Sequence, residues 1–425
     1  MIEGAATRRA FALLGTRHMD IAKRKAPAID KMQFAGTTHP VVCVDAGRVA
    51  EHVRTVLAGW PQVSTEPDAA PISVVGDQGY YSVTSPFLDE PLHGLSSVGA
   101  ACGAIVDAAQ SFLAAHPDHL CLHAMSFEIA GRLVIATGTA RMGKSTLAAR
   151  MAAEPVLVYA DDMLPITAPD NFGLALGVPP RPRLPLPEGS GETLAGHVRD
   201  HAAADDGRYC YLDTSNIAPH GRTAPIGVVL LLDRRADGPA GFAPADRAEA
   251  LRHLLLRNMV RTGPASALTG RLEGLLESVP CIRLFYSSLD DAAALLMDKF
   301  AAWPVDAAGL VEGQPEPGTP LEIAPRSGRA RGRAIAPEAT FMRAPGIVAK
   351  RVGDEVFLFD RDDTTVLNLN ALAGAVWALL EEPISAREAG ALLADAFADT
   401  PRIVVMTDAE ALFADLERNG LIVSA

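Results

Sequence analysis

Four things are scarce in this 425-residue chain, and each scarcity closes off a class of protein. Only five cysteines occur, Cys43, Cys102, Cys121, Cys210 and Cys281, and no two form a Cys-x-x-Cys pair. That argues against a disulfide framework and the common zinc spacings, and reads as small core residues of a reduced, cytosolic protein. No run of about 18 consecutive apolar residues is present, so no membrane span is expected. The net charge of −13 comes with no concentrated basic face, so a large nucleic-acid interface is not expected either. The N-terminus carries Arg8, Arg9, Arg17, Lys23, Arg24 and Lys25 but lacks the apolar core and cleavage site of a secretory signal. Residues 1–38 are therefore expected to be a basic, loosely ordered leader.

What is present is a globular composition, 49% hydrophobic and 21% charged, in a chain long enough for two or three domains. The clearest boundary is residues 311–340, where five prolines and Arg326, Arg329, Arg331 and Arg333 predict a semi-extended linker. Those arginines read either as solvated charge or as a grip for a phosphate or acidic peptide. Before the linker the pattern is α/β. Residues 39–115 contain strand and helix periodicities and a hairpin signal at Asp77-Gln78-Gly79, and are read as a small α/β lobe. Residues 116–310 follow as a larger domain, with 188–224 expected to be a mobile lid because apolar anchors are few there.

The stretch "LVIATGTARMGKSTLAAR" carries the chemistry. Gly138-x-x-x-x-Gly143-Lys144-Ser145 fits the phosphate-binding loop pattern between a predicted strand, "RLVIAT", and a predicted helix, "KSTLAARMAA". Glycines let successive N–H groups point inward, and together with a helix N-terminus these form a nest for phosphate oxygens. Lys144 is placed to reach the β- and γ-phosphates and Ser145 to offer a hydroxyl to Mg²⁺. Two features narrow the class. The strand leading into the loop reads as the second arm of a hairpin turning at Ala130-Gly131. The next strand, "PVLVYADDMLPIT", carries Asp161-Asp162, a carboxylate pair able to hold a cation and accept a proton.

The residues "LHAMSFEIAGRLVIATGTARMGKSTLAARMAAEPVLVYADD" resemble the catalytic core of the HPr serine kinase/phosphorylase family. The resemblance implies a phosphate-loop, HPr kinase-like (PEP carboxykinase-like) fold. It implies that Gly138, Thr139, Ala140, Arg141, Met142, Gly143, Lys144, Ser145 and Thr146 bind ATP. It makes Asp161 the general base, Asp162 with Ser145 the Mg²⁺ ligands, and His123 the hydrogen-bonding partner of the base. From the residues alone His123 is equally a core histidine. Arg181 and Arg183, in the proline-rich stretch Gly173 to Pro187, read either as phosphate-stabilising cations or as exposed turn charges. Related kinases assemble through this fold, so a homo-oligomer is possible.

Residues 341–425 predict three strands with turns at Val352-Gly353-Asp354 and Arg361-Asp362-Asp363, then three helices. The first starts at Asn370. The second and third open on capping boxes, Ser385-x-x-Glu388 and Thr407-x-x-Glu410, and the second is expected to bury Leu392, Leu393 and Phe397. This is a winged-helix-like α+β pattern. DNA is not expected, because the last helix is net acidic and phosphates would repel it. The run "TVLNLNALAGAVWALLEE", with "ISAREAGALLADAF" and "LFADLERNGLI", resembles the PqqD-like family, the RiPP recognition elements. That resemblance implies a leader peptide adding as a strand beside Thr364, Thr365, Val366, Leu367 and Asn368, with Leu412, Phe413 and Leu416 in the groove. Joined, the two halves predict an ATP- and Mg²⁺-dependent cytoplasmic kinase of a ribosomally made precursor peptide. A kinase of a folded protein or small molecule, or a non-catalytic nucleotide-gated carrier, are the alternatives.

Overall fold

The structure, a computed structural model, describes residues 26–64, 68–139, 142–213, 215–259, 263–320, 336–396 and 400–425. Its first sheet runs in chain order through Ile29–Met32, Val41–Val44, Ile72–Asp77, Tyr80–Thr84 and Leu92–Leu95, with helices Gly47–Val56 and Ser97–Ala115 packed on it. The expected hairpin forms, and Gln78 and Gly79 take the positive φ values (48° and 88°) that a tight turn needs. The lobe begins earlier than residue 39. Ile29–Met32 pairs with Val41–Val44, and Met32 and Phe34 are buried, so the last part of the expected leader belongs to the sheet. Asp30 and Lys31 hide that strand from a hydrophobicity pattern, and only the partner strand reveals it. Residues 1–25 lie outside the described residues. By length and composition Ser97–Ala115 could cross a membrane, yet most of it is buried inside this lobe.

The lobe is fused to the larger body. Leu174, Leu176 and Tyr211 of the body enter its core, and Trp60 stacks on His220 with centroids 4.4 Å apart. The body is a nine-stranded mixed sheet around Thr223–Arg234, whose apolar run Val228 to Leu232 is buried and flanked in parallel by Arg132–Thr137 and Cys281–Tyr286. The hairpin before the glycine loop is present: Met125–Ile129 runs antiparallel to Arg132–Thr137 around Ala130 and Gly131, both at positive φ.

Two predicted strands are each broken in a way the sequence does not announce. The residues from Leu120 to Ile129 split at His123-Ala124, and those from Leu157 to Ile166 split at Asp161-Asp162-Met163. In each case the two halves join different parts of the sheet. Because apolar residues continue through both breaks, periodicity reads one strand where the fold makes two.

The expected lid at 188–224 is folded rather than loosely anchored. It forms the helix Glu192–Asp200 and the hairpin Ala202–Asp205 with Cys210–Leu212, before the central strand starts at Thr223. Leu194 and Val198, one helical turn apart, and Cys210 and Leu212 all enter the main core, which anchors a segment whose glycines suggested mobility. The linker is likewise shorter than 311–340. Thr319 N–H donates to Asp237 Oδ1 (2.8 Å), Ala236 N–H to the Thr319 carbonyl (2.9 Å), and Phe242 N–H to Gln314 Oε1 (3.1 Å), fastening its first part to the body. Arg326, Arg329, Arg331 and Arg333 lie outside the described residues.

The C-terminal unit is α+β, as expected. Val348–Val352, Glu355–Phe359 and Val366–Leu369 form one antiparallel sheet, and Ile384–Ser385, Thr340–Arg343 and Ile422–Ser424 a second. Asn370 caps Ala371–Leu379 by accepting from Ala373 N–H (2.9 Å). The Ser385/Glu388 box closes in both directions ahead of Ala386–Ala396. The last helix, Arg402–Arg418, starts nearly two turns earlier than expected, directly after Pro401, so Thr407 lies inside it and bonds the Ile403 carbonyl instead of capping. Of the residues expected inside the second helix's core face, Leu393 is buried, Leu392 is exposed because the helix turns it to solvent, and Phe397 lies outside the described residues.

This unit shares a core with the body. Cross-strand partners share a face, so Lys350, Phe357 and Asn368 look one way with Val348, Phe359 and Val366. On that face Phe357 and Phe359 join Leu251, Leu254 and Leu272 of the body helices Arg247–Leu256 and Ala265–Ser278, and Val366 packs against the same cluster. The opposite face, Val356, Leu358 and Leu369, packs on the unit's own helices. Asp363, at positive φ, caps the body helix Ala265–Ser278, which has no cap in its own sequence: its carbonyl accepts from Ala265 N–H (2.8 Å) and its carboxylate from Ser266 N–H (2.8 Å).

Candidate functional site: a glycine loop facing an acid pair

The loop after Thr137 is held at both ends by what surrounds its glycines. A Cβ on Gly138 would sit 3.3 Å from Leu232, and one on Gly143 would sit 2.7 Å from Tyr286 Oη. Gly143 also needs its φ of +86°, and the Tyr286 hydroxyl donates to the Met142 carbonyl (2.8 Å), fixing the turn into helix Lys144–Met151. Ala140 and Arg141 lie outside the described residues. Lys144 is buried, and its ammonium donates to the carbonyls of Gly138 (3.3 Å) and Thr139 (3.5 Å). Burial and then the nearby Arg257 hold its pKa below the usual lysine value, against the pull of Asp162 and Asp161.

Gly143, Lys144, Ser145 and Thr146 line one side of a cavity of about 600 Å³. The acid pair lines the other side, at the strand break, and the two carboxylates have different surroundings. Asp161 is buried; its Oδ2 accepts from Arg181 N–H (2.8 Å), Ser145 is near enough to favour its ionised form, and Oδ1 is buried with no partner. Desolvation therefore pushes its pKa up, with the Arg181 bond only partly opposing it. Asp162 is half-exposed and pairs with His123, Nε2 to Oδ1 at 2.9 Å. The cleft walls push its carboxyl up too, but the His123 hydrogen bond and charge, helped by Arg181 and Lys144, outweigh them and hold it below the usual carboxylate range.

These pairings correct the expected partners. His123 was expected to hold Asp161 and holds Asp162; Ser145 was expected with Asp162 and acts electrostatically on Asp161. The reason is the double break. His123 and the acid pair both sit where strands end, so the side chain that faces the cleft is decided by where each half-strand goes.

The arginines from the proline-rich stretch reach the same cleft. The Arg181 guanidinium lies 4.5 Å over the Tyr209 ring, and Arg183 stacks at 5.5 Å while donating to the Tyr209 hydroxyl (3.2 Å). Sequence reasoning missed Tyr209, Arg234 and Arg257, all of which line the cavity. Arg234 had a signal, since it ends the apolar run "VVLLLDRR" as the acids end theirs. Arg257, at a helix C-terminus, had none.

Among the described residues no group of three or more His, Cys, Asp or Glu side chains is arranged to hold a metal. Asp161 and Ser145 nevertheless offer hard oxygen donors, and the unpartnered Asp161 Oδ1 is the kind of buried atom a divalent cation satisfies. That set fits Mg²⁺, which takes few protein ligands and fills its shell with water and phosphate oxygens.

The second site is the free edge of Val366–Leu369. Asp360 N–H donates to the Thr365 carbonyl, and antiparallel pairs alternate, so Val366 and Asn368 present their backbone groups to the open side. Thr364 and Thr365 are spent on the turn, their N–H groups donated to Asp360 (2.7 and 3.1 Å), so the edge begins at Val366. Leu412 is half-buried, but Phe413 and Leu416 are fully buried core residues and line no groove. Phe413→Ala is expected to cost about 3–5 kcal/mol in denaturant unfolding, as for any fully buried phenylalanine.

Residues 355–422 match the family described as coenzyme PQQ synthesis protein D (PqqD), so the C-terminal unit is a PqqD-like domain. No curated protein matches the chain. Among solved structures, TbiB1 in complex with the TbiA(beta) leader peptide matches at 23% identity over 19% of this chain and 93% of that one, with a TM-score of 0.18.

Proposed function

We propose that this protein is a kinase of the HPr serine kinase-like kind. Its PqqD-like domain captures a ribosomally made precursor peptide, and the cleft transfers the γ-phosphoryl of ATP to a Ser or Thr hydroxyl of that peptide. One observation carries the reading: the His123–Asp162 pair faces the same cavity as Lys144 and Ser145 of the glycine loop. The loop amides and the N-terminus of Lys144–Met151 bind phosphate oxygens, and Lys144 turns from its own carbonyls to the β- and γ-phosphates. Asp162, ionised at neutral pH, accepts the proton of the acceptor hydroxyl, with His123 orienting it. The hydroxyl oxygen bonds to the γ-phosphorus as the bond to the β,γ-bridging oxygen breaks, and ADP leaves with that electron pair. Asp161 and Ser145 would hold Mg²⁺, which would supply neutralisation of phosphate charge. Arg181, Arg183 and Arg234 add positive charge around the transferring group.

The peptide half rests on the PqqD match and the open edge at Val366 and Asn368, which suits backbone pairing with an extended leader. The whole reading is tested by incubating the chain with ATP, Mg²⁺ and a short peptide encoded in a neighbouring reading frame. Intact mass should show one added phosphate; a peptide that binds and gains no phosphate overturns the transfer.

The cation assignment has its own check. A carboxyl whose folded pKa is raised favours the folded state while protonated, and that advantage is lost as pH rises from its ordinary value through the raised one. Ionised Asp161 is thus a liability near neutrality that a bound cation relieves. Mg²⁺ should raise the melting temperature more at neutral than at mildly acidic pH, and Asp161→Asn should remove the difference.

A further inference from the structure

We propose that leader capture and the reaction cleft are mechanically linked, through an Asn368–Glu355–Arg252 bridge to the helix Arg247–Leu256 and from the end of that helix to His123. The proposal rests on the reading that the Val366–Leu369 edge takes a leader strand.

The bridge starts at the edge itself. The Asn368 amide donates to Glu355 Oε2 (2.7 Å), and the other Glu355 oxygen lies 3.4 Å from Arg252 Nη1 on the body helix. Asn368 is one of the two residues whose backbone faces the open side, so a strand added there touches the first member of the chain directly. Arg252 lies on the helix that the PqqD-like sheet covers, and Leu256, four residues on and on the same face, is 76% exposed.

The helix ends at Leu256, and the next residues are stitched to the strand that stops at His123. Met259 N–H donates to the Cys121 carbonyl (2.7 Å), and His123 N–H donates to the Arg257 carbonyl (2.6 Å). The side chain of Arg257 lines the cavity and lies close enough to Lys144 to depress its pKa. From Arg252 to Arg257 is five residues, a rise of roughly 7–8 Å along a helix. A displacement of this helix therefore shifts two things at once: the backbone that fixes His123, the orienting partner of Asp162, and a cation beside the loop lysine. Because interfaces and cores repack between discrete arrangements, a small pull at Asn368 has a defined route to the reacting groups.

Arg252, Glu355 and Asn368 act here as positioning residues, touching neither phosphate nor acceptor. The test uses the full chain, a fluorescent synthetic peptide copied from the first half of the short neighbouring reading frame, and an unlabelled peptide copied from its second half. In the parent, the first peptide should slow hydrogen exchange at the His123 amide and raise kcat on the second by about tenfold, a usual size for coupling between sites. In Arg252→Met both responses should vanish while affinity for the first peptide, read by polarisation, changes little. Glu355→Gln, which keeps a hydrogen bond to Asn368 and removes the charge facing Arg252, should lose most of both and serves if Arg252→Met is poorly folded. Exchange at His123 that ignores the bound peptide in the parent, or responds fully in both variants, overturns the link. Failure of the first peptide to bind at all overturns the edge reading instead; binding with a His123 response and no phosphate transfer leaves the link intact and removes the kinase.

Discussion

Asp162→Asn is expected to lower kcat for phosphate transfer by about 10²- to 10⁴-fold, the range ascribed to a positioned general base. Nucleotide affinity should change little if Asp162 serves the acceptor hydroxyl, as proposed. The sign of its titration sharpens the expectation. Its pKa is held below the ordinary carboxylate value by His123, so the acid limb of the kcat/KM profile should fall below that range. Asp162 also stabilises the fold above its ordinary pKa, and this contribution is lost as pH falls through the depressed one. His123→Ala should therefore move the acid limb upward as well as lower the rate. Asp161→Asn should behave differently, raising the Mg²⁺ concentration needed for half-maximal rate. If Asp162→Asn turned over peptide like the parent while Asp161→Asn did not, the two carboxylates would have to exchange roles.

Val366→Pro is expected to weaken binding of the precursor peptide about tenfold or more, with little change in the rate at saturating peptide. Proline is tolerated on an edge strand where the lost N–H faces outward, and Val366 is such a position. Peptide titration by polarisation and initial rates separates the two effects. This substitution is a cleaner probe than deleting residues 340–425. Removing the domain would strip Phe357 and Phe359 from the Leu251, Leu254 and Leu272 cluster and take away the Asp363 cap on Ala265–Ser278. A deleted chain that failed to act would then report lost folding as readily as lost capture. Unchanged Kd in Val366→Pro would move the peptide away from this edge.

The candidate site was legible to different depths in different places. The loop from Gly138 to Thr146 and the pair Asp161-Asp162 are contiguous, and backbone chemistry fixes what contiguous residues can do, so spacing alone located them. Arg181 and Arg183 were visible as candidates, but their aromatic support by Tyr209 comes from a hairpin within a segment whose glycines suggested little order. Phe413 and Leu416 look like any apolar helix stripe, and which stripe faces a groove is decided by the sheet they pack on. Asn370 and the Ser385/Glu388 box were read correctly because caps are local. Thr407 was not, because Pro401, six residues ahead of it, set the helix start instead.

What the sequence alone determined is everything carried by short-range chemistry: the α/β character, the glycine loop between strand and helix, the acid pair, and an α+β unit with PqqD-like features at the C-terminus. Tertiary structure decided the partners: His123 with Asp162, Ser145 with Asp161, Arg257 beside Lys144, and the C-terminal sheet fixed to the body by a shared core. The physical reason is that a hydrogen bond between residues far apart in the chain depends on where strands break and which face they bury. An unbroken apolar run carries no mark of either.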